Sequence, residues 1–122
     1  MAWTVEFHVK FAAEYVAFSE KIQDEIAAQA ELLHAMGPSL RRPHADTLKG
    51  SKHANMKELR FEADGGVWRL AYAFDPERKA ILLVAGSKSG TSQSRFYKML
   101  IHAADARFDS HLRAISKKRP NR

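Results

Sequence analysis

The chain contains no cysteine. That removes a disulfide framework, a thiolate zinc site and a cysteine nucleophile together. Long apolar runs are also missing. The longest, Ala80 to Ala85, is far too short to span a bilayer. The N-terminus, Met1-Ala2-Trp3-Thr4-Val5-Glu6, has no basic region and no apolar stretch behind it, so no signal peptide is expected. A cytoplasmic protein without membrane contact is the expectation. The 6 histidines show no i, i+4 pair beside a carboxylate motif, and no metal is expected. Gly86-Ser87-Lys88-Ser89-Gly90 lacks the spacing of a phosphate-binding loop, and no serine sits in a nucleophile elbow. Cofactor chemistry is therefore not expected.

What is present is one domain's worth of chain. The 122 residues, 45% hydrophobic and 28% charged, can bury about two-thirds of the surface of the unfolded form. Disorder does not fit that composition. Residues 1–116 read as a single domain and 117–122 as a basic tail. The net charge of +6 favours a polyanion or an acidic partner, and its distribution says more. From Ala12 to Ala35 there are five acids against Lys21 alone. From Arg41 to Arg60 there are six bases against Asp46 and Glu58.

Periodicity orders the elements. Trp3, Val5, Phe7 and Val9 alternate with polar residues, as in a strand with one buried face. Phe11, Tyr15, Phe18, Ile22, Ile26, Ala30 and Leu33 form one apolar stripe, which predicts a single helix ending at Gly37-Pro38. Ser39 to Met56 lacks clear periodicity and reads as a loop. Lys57 to Glu62 and Val67 to Phe74 alternate again, with the turn signal Asp64-Gly65-Gly66 between them. After the turn Asp75-Pro76-Glu77-Arg78, the run Ala80 to Gly86 reads as a central strand covered on both faces. Phe96, Leu100, Ala103, Ala104, Phe108, Leu112 and Ile115 predict a final helix. The expected fold is a small α+β domain, a mostly antiparallel sheet with an N-terminal and a C-terminal helix packed on it.

The strand pattern places Glu58, Arg60 and Arg69 on one face beside small Ala71 and Ala73. Small residues leave a concavity, and the loops bring Lys49, Lys52, His53 and Lys88. A cation-lined groove suits a phosphodiester backbone. RNA carries its own nucleophile, the 2′-hydroxyl. A protein that cuts it must take a proton and stabilise a crowded anionic phosphate. Two readings of Arg69 stay open, a site residue or a partner of Glu58 and Glu62 across strands.

The stretch Arg42-Pro43-His44-Ala45-Asp46-Thr47-Leu48-Lys49-Gly50-Ser51-Lys52-His53-Ala54-Asn55-Met56-Lys57-Glu58-Leu59-Arg60 resembles RelE/ParE-like toxins close to the HigB group. The likeness continues through Trp68 to Pro76, Ala80 to Leu83, Gly86 to Gly90, Phe96-Tyr97 and Ala104 to Leu112. The resemblance implies the toxin of a type II toxin–antitoxin system, an mRNA interferase acting on messages in the ribosome. It also implies a cognate antitoxin carrying a helix-turn-helix DNA-binding domain. By resemblance, Arg60, Lys88, Tyr97 and His53 are catalytic candidates, and Lys49, Lys52 and Arg69 hold RNA; Glu58 is added to the first group as a candidate base and Lys57 to the second. Two departures stand out: Ser87 replaces the first acid of the family's loop, and Phe96-Tyr97 replaces its Trp-Tyr pair. Tyr97 is open to two readings, site residue or core residue of the last helix. A ParE-type toxin that poisons a gyrase by binding it, and a basic nucleic-acid module without activity, are the rival functions.

Overall fold

The computed structural model describes residues 2–118. Its elements are β1 (Thr4–Phe7), α1 (Val9–Tyr15), α2 (Glu20–Met36), a 3₁₀ turn at Gly37–Ser39, β2 (Ala45–Thr47), β3 (Lys57–Ala63), β4 (Gly66–Phe74), β5 (Lys79–Ser87) and α3 (Gln93–Lys118). The five strands form one sheet in the order β1-β5-β4-β3-β2. Only β1, parallel to β5, departs from antiparallel pairing. This is the expected α+β domain. No described helix is long and apolar enough to cross a membrane.

Period-two alternation gives the sheet two apolar faces. Leu59, Phe61, Leu70, Tyr72 and Leu82 lie beneath Phe11 of α1 and Ile22, Ile26 and Leu33 of α2. Ala71, Ala73, Ile81 and Leu83 lie beneath Phe96, Leu100, Ala104 and Phe108 of α3. Each large apolar side chain buried this way stabilises the fold by about 1.5–3 kcal/mol. The turns follow their residues. Asp64 and Gly65 both adopt positive φ, as a two-residue hairpin turn requires. Asp75, buried, accepts the backbone N–H groups of Glu77 and Lys79 at 2.9 Å and ties the β4–β5 turn.

Three expectations needed correction. The N-terminal stripe is two helices, not one. Ser19 breaks it by capping α2, its Oγ accepting the Ile22 N–H. The elbow is clamped by two bonds, Tyr15 Oη donating to the Gln23 carbonyl (3.0 Å) and Gln23 Nε2 donating to the Tyr15 carbonyl (2.9 Å). The segment read as a loop from Ser39 to Met56 contains β2, which adds an edge strand through Ala45↔Leu59, Asp46↔Glu58 and Thr47↔Lys57. Val9 starts α1 and is exposed rather than continuing the strand. Lys117 and Lys118 are the last residues of α3, and Arg119 to Arg122 of the expected tail lie outside the described residues.

Candidate functional site

Strands β3 and β4 set Arg60 directly opposite Arg69, and Glu58 opposite Ala71. Two arginines facing each other repel. The fold answers with Glu58, whose Oε1 lies 3.8 Å from Arg60 Nε and 4.0 Å from Arg69 Nε. Helix α3 then crosses this face and lowers Tyr97 into the gap. Its hydroxyl donates to Glu58 Oε1 at 2.8 Å. It accepts from Arg69 Nε at 2.8 Å and from Arg60 Nη2 at 3.5 Å. The phenol oxygen is thus the hub of a four-residue array.

The members differ in access. The Glu58 and Arg69 side chains are 8% and 12% exposed, whereas that of Arg60 is 48% exposed. Arg69 is further held with its guanidinium 5.9 and 5.7 Å from the Phe96 and Tyr97 ring centres. The pKa of Arg60 is raised, chiefly by the bond to Tyr97, with the Glu58 charge a lesser contributor. An open cleft of about 390 Å³ borders the array, lined by Asp46, Thr47, Lys49, Glu58, Arg60, Gln93 and Tyr97. A neighbouring hollow is lined by Arg42, Pro43, Asp46 and again Arg60. Arg60 therefore lines both hollows, with Lys49 in one and Arg42 in the other.

The structure brings Glu58, Arg60, Arg69, Tyr97 and Lys49 together. Arg69 approaches Glu58, and the Tyr97 hydroxyl contacts Glu58, Arg60 and Arg69. Lys88 follows β5 in the loop before α3, and none of the described carboxylates lies within ion-pair reach of it. Three expected members stand elsewhere. His53 Nε2 is bonded to Asp109 Oδ1 at 2.8 Å, with its ring edge-on to Phe108. Lys52 pairs with the same carboxylate, which holds the Asp109 pKa below the usual aspartate range, Lys52 contributing most. Ser51 Oγ and the Lys52 N–H both donate to Asp105. This loop is therefore pinned to α3, away from the cleft, and His53 lines a separate hollow with Phe74, Asp75 and Phe108. Lys57 alternates to the opposite sheet face from Glu58 and lines a hollow with Leu40, Arg41 and Ala45.

Asp46, Thr47, Gln93 and Arg42 line the hollows but escaped the sequence reading. Asp46 and Thr47 were hidden because β2 is too short to show alternation. Arg42 is locally legible, since it pairs with Asp46 at i, i+4 and 2.9 Å.

A two-helix layer, a mostly antiparallel sheet and a long covering helix make up a RelE-like fold. A mutant of E. coli toxin RelE in the free state superimposes with a TM-score of 0.62 at 13% identity, covering 88% of this chain and 98% of that one. The family described as phage derived protein Gp49-like (DUF891) matches residues 13–109. The chain is 37% identical over 123 residues to the protein of Mycobacterium tuberculosis (strain ATCC 25618 / H37Rv) named toxin HigB2. That alignment covers 100% of this chain and 60% of HigB2, so the chain spans well under two-thirds of that relative's length. It is 38% identical over 98 residues to toxin HigB3 of the same organism, covering 80% of this chain and 83% of HigB3. The chain belongs to the Gp49-like family and is related to the HigB toxins, on a fold it shares with RelE.

Proposed function

We propose that this chain is the toxin of a type II toxin–antitoxin system and that it cleaves mRNA in the ribosome by metal-independent chemistry. The observation that carries the reading is the Tyr97 hydroxyl in an open cleft that also holds Lys49 and Arg60, bonded at once to a carboxylate and to a guanidinium. The names of the HigB relatives support the toxin part.

In the proposed reaction the RNA 2′-hydroxyl attacks the adjacent phosphorus. Its proton passes to the Tyr97 oxygen as the phenol proton passes to Glu58 Oε1, 2.8 Å away. Arg69 is a positioning residue that fixes the phenol through its Nε donor. Arg60, half-exposed, meets the phosphate oxygens as negative charge gathers on them. The bond to the 5′ oxygen breaks and that oxygen takes a proton from solvent, leaving a 2′,3′-cyclic phosphate and a 5′-hydroxyl end; Glu58 then gives up its proton to solvent. Lys49 and Lys88 hold the flanking backbone through charge. His53, Lys52 and Lys57 take no part in the step, because their side chains are engaged or face elsewhere. A cognate antitoxin with a helix-turn-helix DNA-binding domain neutralises the toxin, residues 1–116 are the toxin domain, and the chain acts in the cytoplasm.

The test is induced expression in bacteria of the chain and of Arg60→Ala, with mapping of mRNA 5′ ends. Growth arrest with new 5′ ends inside coding regions, absent from the variant, is the expected result. Arrest with intact messages and broken DNA would replace this reading with gyrase poisoning. A folded Arg60→Ala protein that still cleaves would refute the role given to Arg60.

A further inference from the structure

Strand β5 has an unfinished edge. It runs from Lys79 to Ser87, but β1 pairs only with Lys79 to Leu82. The last described bond on that side is the His8 N–H to the Leu82 carbonyl, at 2.9 Å. At Leu83 a guanidinium takes over, Arg107 Nη1 donating to the carbonyl at 2.7 Å. From Val84 to Ser87 no described strand covers the edge, and exposure rises after Leu83. An uncovered strand edge presents main-chain donors and acceptors at strand spacing, the template for one more strand.

Beside this edge lies a hollow of about 360 Å³ lined largely by apolar groups, among them Val84, Ala85, Phe96, Met99, Leu100 and Ala103. Met99 is 68% exposed on its rim. The two segments that line it, the end of β5 and the start of α3, carry charge of one sign, and the Glu14 carboxylate at the Leu83 end is paired with Arg107. From Arg78 to Ala104 the sequence has no Asp or Glu, while Arg95, Lys98 and His102 are all exposed on α3. An RNA strand would use the cations, but the row of main-chain groups at strand spacing matches another peptide strand. A peptide strand uses the edge, the hollow and the cations.

We propose that the Val84–Ser87 edge of β5 and the Met99 hollow form a docking surface for an extended, acidic segment of a partner protein. The segment adds as a strand to β5 beyond the end of β1. Its alternate apolar side chains enter the hollow against Phe96, Met99 and Ala103. Its acids meet Arg95 and Lys98. This surface goes beyond the ribonuclease reading and does not need it, since binding here involves none of the cleft residues.

The probe is a short synthetic peptide alternating glutamate with valine, added to the full chain while amide hydrogen exchange is followed. A peptide with lysine in place of glutamate and an oligouridine RNA are run beside it. The acidic peptide is expected to slow exchange at residues 83–87. Met99→Glu is expected to weaken its binding about tenfold or more, as loss of an interface anchor does. Val16→Glu, an equally exposed apolar site on the α1–α2 elbow, is expected to bind like the parent. The surface is refuted if the acidic peptide protects no amide in that stretch, if the lysine peptide binds as well, if Met99→Glu binds normally, or if only the RNA protects these amides. Because no outcome depends on RNA cleavage, a chain that binds the peptide but cuts nothing overturns the ribonuclease reading alone.

Discussion

Replacing Tyr97 with phenylalanine removes one oxygen and leaves the ring, so the change isolates the hub of the array. Three contacts go with it: the bond to Glu58 at 2.8 Å, the one from Arg69 at 2.8 Å and the weaker one from Arg60 at 3.5 Å. A hydrogen bond to a charged partner contributes about 1.5–3 kcal/mol. The two charged partners are not stranded, however. Glu58 Oε1 already lies 4.0 Å from Arg69 Nε, and the pair can close on itself. The net loss of stability should therefore be modest, about 1–2 kcal/mol, read as a lower urea midpoint with an unchanged slope. The effect on cleavage should be larger, about 10²–10³ in rate, because the proton of the 2′-hydroxyl loses its path. Glu58→Gln should give a similar loss. The double variant should lose little more than either single one, since residues acting as a unit are not additive. A folded Tyr97→Phe protein that cleaves mRNA at the parent rate would refute the proton path, and additive losses would refute the coupling.

Three further outcomes follow from elements outside the cleft. Burial, with Arg107 and His111 adding to it, holds the His8 pKa below its ordinary 6.5. The unfolded chain then takes up the proton first, so stability is full above about pH 6.5 and falls as pH drops through that value. His8→Asn, which keeps a capping oxygen at the start of α1, should flatten this acid limb in urea titrations at several pH values; an unchanged limb would contradict it. Arg107→Ala should destabilise the fold by about 1–3 kcal/mol, since it ends the pair with Glu14 and the bond to the Leu83 carbonyl. The half-exposed Glu14 keeps the figure from being larger, and an unchanged urea midpoint would argue against it. Gly37→Ala should lower stability by about 2 kcal/mol or more, because Gly37 has φ of +55° and an added Cβ would collide with the Trp3 indole. A thermal melt that matches the parent would show that Trp3 moves aside freely.

The strands were legible because they read in period two and their turns carry their own chemistry. Leu59 and Phe61 against Glu58 and Arg60, and Leu70 and Tyr72 against Arg69 and Ala71, assign the faces without any structure. Other elements carried no such mark. The α1–α2 break left the apolar stripe unbroken, and its signal was the single cap Ser19. Strand β2 has 3 residues, too few for alternation to be seen. The pinning of His53 was missed because Asp105 and Asp109 lie 54 and 56 residues from their loop partners Ser51 and His53.

The amino-acid sequence by itself determined the element types, the face on which Glu58, Arg60 and Arg69 stand, the turns, and the concentration of positive charge in the middle of the chain. Those are local properties, written in periodicity and in residue chemistry. Only the tertiary structure decided which of the site candidates meet. Tyr97 reaches Glu58 across 39 residues and Arg69 across 28. That meeting depends on how α3 seats its buried face on the sheet, and a helix stripe specifies a face but not where along the sheet it docks. The same seating draws His53 and Lys52 toward Asp109, while the edge of β5 beyond Leu82 is left unpaired by β1.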